Sequence, residues 1–295
     1  MTKIIVRPIG GLGNQLFGYA AARRLALAND AELVIDAISG FAHDHVYRRH
    51  YQLERFAIPA RHATAAERLE PLSRPRRYLM RALSRRRPFA ERRYIQQDGV
   101  DFEPRLLALK PRGTLYLEGY WQSERYFADV ATTIRTDLTI VPPTDAQNLA
   151  IAERMRGVPS VAVHVRFFEA PGQADLSNAP TDYYARALAA MEKLFPGAHY
   201  FVFSDRPADA LKRLPVAPER VTLVAHNHGD ENAYADLWLM TQCRHFIIAN
   251  STFSWWGAWL AAHPDKQVIA PGFVTRQGSA WWGFDGLLPD SWIKL

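Results

Sequence analysis

The chain has 295 residues, 48% of them apolar and 22% charged, a length that fits two domains or one large one and a balance that excludes a disordered chain, a collagen-like repeat and a small disulfide scaffold. Its net charge of +6 is local: residues 73–93 hold nine Arg and one Glu, so the other 27 basic and 29 acidic groups leave the rest at −2. A basic footprint this short argues against nucleic acid as a partner.

Taken in chain order, Lys3 to Pro8 reads as a short buried strand, Gly10-Gly11-Leu12-Gly13 as a breaker, and the Ala- and Leu-rich stretch from Asn14 to Ala28 as a helix. Glu32 to Asp36 is a second strand, which makes this the opening of an α/β unit. Residues 37–70 carry no clear period, and the Arg-rich stretch follows. Thr114 to Gly119 reads as a strand and Ser123 to Asp137 as a helix. Pro142 and Pro143 mark a linker, and a short helix near Asp145 to Met155 follows it. In the second half, strands are predicted at 160–165, 199–203, 221–225, 245–249 and 266–270, and helices at 181–194, 232–242 and 253–262. Strands alternating with helices imply mainly parallel sheets. The expectation is two Rossmann-like domains facing across a cleft, residues 1–142 and 143–295. Cys243 is the only cysteine, so no intrachain disulfide forms and a reducing compartment is expected. No leader pattern precedes the first strand, and no run of about 18 apolar residues occurs, so a cytoplasmic chain is expected, at most held at the inner face of a membrane.

Four places carry candidate chemistry. In Gly10-Gly11-Leu12-Gly13-Asn14-Gln15, glycines after a strand let backbone approach a phosphate at a helix N-terminus. Gly11, Asn14 and Gln15 are candidate binding residues there. A dinucleotide fingerprint needs a glycine where Leu16 stands, although Asp36 sits where a ribose-binding acid belongs. A nicotinamide-dependent oxidoreductase therefore stays open, as does a plain tight turn. His164-Val165-Arg166 ends a strand, where Arg166 can clamp a phosphate or form a surface ion pair. Ser204 and Asp205 end the next strand; the acid can accept from a ribose or base, or cap the helix after Pro207. Asn250, Ser251, Thr252, Phe253 and Ser254 open a helix, as caps or as an anion site. Trp255 and Trp259, four apart, read as core. No P-loop, zinc-type Cys/His cluster, GxSxG elbow or Asp-x-Asp occurs, so bound phosphates must be neutralised by Arg, hydroxyls and helix dipoles rather than a metal.

Gly10 to Phe17 with Tyr19-Ala20, the run Tyr120 to Phe127, Phe203-Ser204-Asp205, Leu239-Met240 through Cys243, and the block Ile247 to Leu260 resemble the motifs of the bacterial α-1,2-fucosyltransferases, glycosyltransferase family 11, across nearly the whole chain. The family's His-x-Arg-Arg-Gly-Asp motif reads His164-Val165-Arg166-Phe167-Phe168-Glu169 here, with the second Arg and the Gly-Asp pair replaced. The resemblance implies a GT-B fold, a C-terminal donor domain and an N-terminal acceptor-side domain. It implies inverting, metal-independent transfer of L-fucose from GDP-β-L-fucose to a galactoside hydroxyl, in surface polysaccharide synthesis on lipid-linked acceptors. Arg166 and the Ser251/Thr252 helix start would hold the departing GDP, and Asp36, Glu118 and Glu169 are three candidate bases. A related GDP-sugar transferase with a different sugar, and a non-catalytic sugar-nucleotide-binding protein, are the further readings. The Arg-rich segment, with Tyr78, Leu79, Met80, Leu83 and Phe89 among its arginines, is a candidate membrane or acceptor contact. Its helix is expected over 76–87, between Pro75 and Pro88.

Overall fold

The computed structural model describes residues 1–168, 178–276 and 281–295, in two compact units, Met1–Thr139 and Ile140–Leu295. In the first unit the chain runs β1 (Lys3–Arg7), α1 (Leu12–Leu27), β2 (Glu32–Ile35), β3 (Arg61–His62), α2 (Ser73–Arg85), β4 (Tyr94–Gln96), β5 (Thr114–Glu118) and α3 (Ala131–Asp137). The sheet order is β3-β2-β1-β5-β4, every neighbour parallel. Ile4, Ile5 and Val6 are buried in succession, as expected of a strand covered on both faces. Helix α1 starts at Leu12, two residues earlier than the Asn14 expected, because extended Gly11 (φ −74°, ψ 174°) already serves as its N-cap.

The second unit runs α4 (Ala146–Gly157), β6 (Ser160–Val165), α5 (Thr181–Leu194), β7 (His199–Ser204), α6 (Pro207–Lys212), β8 (Val221–Val224), α7 (Ala233–Thr241), β9 (His245–Ile247), α8 (Thr252–Leu260), β10 (Val268–Ala270) and β11 (Ile293–Lys294). Its parallel sheet is ordered β11-β10-β9-β6-β7-β8. Counted from β6 as the first strand, that is 6-5-4-1-2-3, the dinucleotide-fold order, with its switch point between β6 and β9. The expected pair of Rossmann-like domains is what the chain forms.

Three differences have physical causes. The helix expected over 123–137 is instead two single 3₁₀ turns, Glu124–Tyr126 and Ala128–Val130, followed by α3. The Ser123 side chain accepts from the Arg125 N–H, and extended Ser123 with non-helical Phe127 (φ −140°, ψ 13°) interrupts the spiral. Helix α2 spans Ser73–Arg85 rather than 76–87. Pro75 lies in its first turn, where a proline removes no intrahelical hydrogen bond. The strands β3, β4 and β11 have two or three residues each, too few to show a period.

Helix α8 is anchored by tryptophans. Trp255, Trp256 and Trp259 are buried, the rings of Trp255 and Trp259 stack at 6.1 Å, and Trp255 Nε1 donates to the Leu287 carbonyl at 2.9 Å. Gly257 lets α7 pack close, since a Cβ there would stand 3.0 Å from Met240 Cε. These Trp residues are core, as their spacing indicated, and they fix the helix whose start borders the switch point.

Candidate functional site

The site in the second unit is built from strand ends. Strand β6 delivers His164 and, one residue past its end, Arg166. Strand β9 runs out at Ile247, and three residues later Asn250 and Ser251 lead into α8. The two ends meet: the His164 and Phe253 rings lie 5.6 Å apart. His164 is buried, and its Nδ1 has no hydrogen-bond partner among the described residues. Burial, with the Arg166 charge added, pushes its pKa down to about 3, so the ring is neutral at neutral pH and can accept or donate at a polar ligand atom. Arg166 Nη1 pairs with Asp205 Oδ2 at 2.7 Å, both side chains part-exposed. Asp205 Oδ1 also accepts the Phe167 N–H at 3.1 Å. Asp205 therefore aims Arg166 and pins the loop that carries it, and among the described residues the guanidinium keeps donors for a phosphate. Ser204 Oγ accepts the Arg206 N–H at 3.0 Å, a local turn bond.

At α8, the Ser251 side chain accepts the Phe253 N–H at 3.4 Å and Ser254 Oγ donates to the Ser251 carbonyl at 3.3 Å. Ser251 is thus the cap, and the nine-residue helix behind it presents its N-terminal dipole at the strand end. Asn250 is buried. Thr252 heads the helix.

Where the resembling family carries a second Arg, Phe167 is buried in the core of this unit. Two guanidiniums flank its ring, Arg206 at 5.0 Å and Arg213 at 4.6 Å. Arg166 lies 5.4 Å from the Phe168 ring. Sequence reasoning missed Arg206 and Arg213. Their only signal is the fold, which brings the start and end of α6 beside the β6 loop. It also missed Asp236, near the start of α7, whose carboxyl is pushed up to about 7 by burial. Asn227 Nδ2 donates to Asp236 at 2.8 Å and to Asn148 Oδ1 at 3.0 Å, tying α4 to the β8–α7 loop.

The first unit brings its motif residues together differently. Gln15 is fully buried and spends its amide on the Gly10 and His50 carbonyls (2.9 and 2.8 Å) and the Gln52 N–H (2.9 Å). It holds the loop before β3 in place. Asn14 Oδ1 accepts from Gln122 Nε2 at 2.7 Å, joining the two N-terminal motifs. Gly10 (φ +74°) is where a Cβ would stand 2.7 Å from Asn14 Nδ2, and the Arg49 guanidinium carbon lies 3.8 Å from the Cβ position of Gly11. Past β5, Trp121 holds φ +53°, a strained conformation for a bulky residue. It is held there by Gln97 Oε1, which accepts the Tyr120 and Trp121 N–H groups at 2.9 and 2.8 Å.

Asp36 and Glu118, two of the three candidate bases, belong to one buried ion cluster. Asp36 accepts the Ser39 N–H at 2.9 Å and the Ser39 hydroxyl, and lies 4.0 Å from Arg77. Glu118 pairs with Arg7 at 3.3 Å, lies 3.9 Å from Arg81, and accepts the Tyr94 hydroxyl. Arg7 closes the cluster by donating to Ser39 Oγ at 3.1 Å and the Ser39 carbonyl at 2.8 Å. Both carboxylates thus help to hold unit 1 together. Glu169, the third candidate, lies outside the described residues.

Among known proteins, the model of glycosyl transferase family 11 matches residues 76–277. An alpha-1,2-colitosyltransferase of Escherichia coli is 26% identical over 100% of this chain and 99% of its own. The O-antigen biosynthesis glycosyltransferase WbnK of Escherichia coli is 28% identical over 97% of this chain and 98% of its own. Among solved structures, POFUT1 in complex with GDP-fucose superposes with a TM-score of 0.51 at 13% identity, covering 92% of this chain and 99% of that one. At that identity the likeness is one of fold.

Proposed function

The chain belongs to glycosyl transferase family 11, and on that premise we propose that it transfers L-fucose from GDP-β-L-fucose to O2 of a galactoside in a surface polysaccharide. The observation that carries this reading is the meeting of neutral His164 with the capped start of α8 at the switch point of a dinucleotide-type sheet, with Arg166 two residues on and aimed by Asp205. That edge is where such sheets bind nucleotides. The second unit then holds the donor, and the first unit, with its Asn14–Gln122 junction, faces the acceptor. Transfer is a single displacement with inversion. A base takes the proton of the acceptor hydroxyl as the sugar–phosphate bond breaks, and Arg166 and the α8 dipole stabilise the charge gathering on GDP.

The names of the E. coli relatives support an α-1,2 linkage and a place in O-antigen synthesis, and they make colitose the second candidate sugar. The test is incubation with GDP-β-L-fucose, or with the corresponding colitose donor, and a panel of galactosides, with the product mapped by NMR. Fucose α-linked at O2 is the expected product. A product from the colitose donor alone transfers the assignment to that sugar, and donor consumption without transfer rejects the reading.

Metal independence is part of the proposal, because Arg166 and a helix start supply the neutralising charge and the chain has no Asp-x-Asp. Excess chelator is expected to leave the rate unchanged. A rate lost in EDTA and restored by Mg²⁺ or Mn²⁺ contradicts it.

A further inference from the structure

Helix α2 is built inside out. Its inward side is polar: Arg77 is buried, donates to Ser73 Oγ at 3.0 Å and the Arg68 carbonyl at 3.3 Å, and approaches Asp36. One turn on, Arg81 approaches Glu118 and covers the Tyr94 ring at 5.6 Å. Buried Ser84 accepts the Tyr94 N–H at 3.1 Å. Its outward side is apolar: Leu72, Tyr78, Leu79 and Leu83 are 68%, 73%, 58% and 51% exposed. Leu72, Leu79 and Leu83 recur at i, i+7 and i+11 and so form one stripe. Arg74, Arg76, Arg86 and Arg87 are exposed beside it, and residues 71–90 contain no acidic side chain.

We propose that this face of α2 docks the protein on an anionic lipid bilayer. An ordinary surface helix buries its apolar side against its own domain. Here the carboxylates at the C-terminal edge of the sheet take the polar side instead, and the leucines are left facing outward. Charge complementarity selects the occupant. A bilayer with anionic headgroups offers diffuse negative charge to the arginines and, a few ångströms below, an apolar layer to the leucines. The 13-residue helix is about 20 Å long and lies in the interface plane. The inference rests on unit 1 alone and is independent of the donor reading.

The full chain is sedimented with vesicles of phosphatidylcholine containing phosphatidylglycerol, and with phosphatidylcholine alone, at low and high salt. Binding to the anionic vesicles is expected, weakened by salt, with little on the neutral ones. Arg86→Gln with Arg87→Gln is expected to weaken binding roughly thirtyfold, about fivefold for each charge. Leu79→Glu with Leu83→Glu is expected to abolish it. These positions touch solvent, so circular dichroism and transfer to a short soluble acceptor should stay as in the wild type. Absence of binding to anionic vesicles, equal binding to neutral ones, or full binding by the Leu79/Leu83 variant overturns the proposal.

Discussion

Arg166 is held before any ligand arrives. Its 2.7 Å bond to Asp205 leaves a guanidinium already aimed, so two changes at this pair should behave differently. Arg166→Ala is expected to lower turnover by roughly tenfold to a thousandfold, the range for losing one charge-stabilising donor, and Arg166→Lys to restore little, because the fork is lost. Asp205→Asn keeps the charge on Arg166 but loosens its aim, and a smaller fall is expected. Steady-state kinetics on folded variants checks the order, and near-wild-type turnover by Arg166→Ala contradicts it. His164 makes a second residue-scale prediction. Its pKa lies at about 3 in the fold and near 6.5 when unfolded. The unfolded chain therefore binds the extra proton as pH falls below about 6.5, and stability is lost in that direction. Between pH 7 and 5 this one ring accounts for about 2 kcal/mol of lost stability. Urea unfolding of His164→Gln should show a correspondingly flatter pH dependence, and an unchanged slope refutes the buried neutral ring. At this scale the sequence was informative about type and place, since Arg166, His164 and Ser251 stand at strand ends as their motifs indicated. It was silent on commitment. Nothing in the string Gly-Asn-Gln distinguishes Asn14, which reaches across to Gln122, from Gln15, which is spent on the backbone of a loop 35 residues away.

Between elements, the ion cluster of unit 1 joins β1, β2, β5 and α2 through four side chains far apart in sequence: Arg7, Asp36, Arg77 and Glu118. Breaking such a buried set by removing one partner costs about 3–5 kcal/mol. Glu118→Gln is therefore expected to lower the melting temperature clearly while the folded fraction retains turnover within about tenfold. A stable variant with abolished turnover would instead make Glu118 the base. The long β-branched strand 160–165 and the helix 181–194 were legible in the sequence to the residue, because a buried strand and a strongly periodic helix each state their own period. The 94–96 strand was not. Its two buried residues follow Arg92 and Arg93, and its identity as a strand depends on pairing with β5. The same holds for α2: composition marked it as basic and apolar, but only the acids across the interface decide which side faces in.

Over the whole molecule, two α/β units were readable from strands alternating with helices, and the order 6-5-4-1-2-3 of the second was not, since strand order is set by where each crossover lands. That order decides between the two glycine- or hydroxyl-bearing helix starts that the sequence offered for a nucleotide. In unit 1 the Gly-rich turn has Leu16 where a third glycine belongs, and Asp36 is paired with Ser39 and Arg77. In unit 2 the start of α8 stands beside His164, two residues before Arg166. The most direct measurement is therefore calorimetric titration of GDP into the wild type, Arg166→Ala and Arg49→Ala, the last beside the Gly11 turn. One GDP per chain is expected, with affinity lowered at least about tenfold by Arg166→Ala and unchanged in Arg49→Ala. Undiminished GDP binding in Arg166→Ala together with its loss in Arg49→Ala would contradict it and move the nucleotide to the first unit.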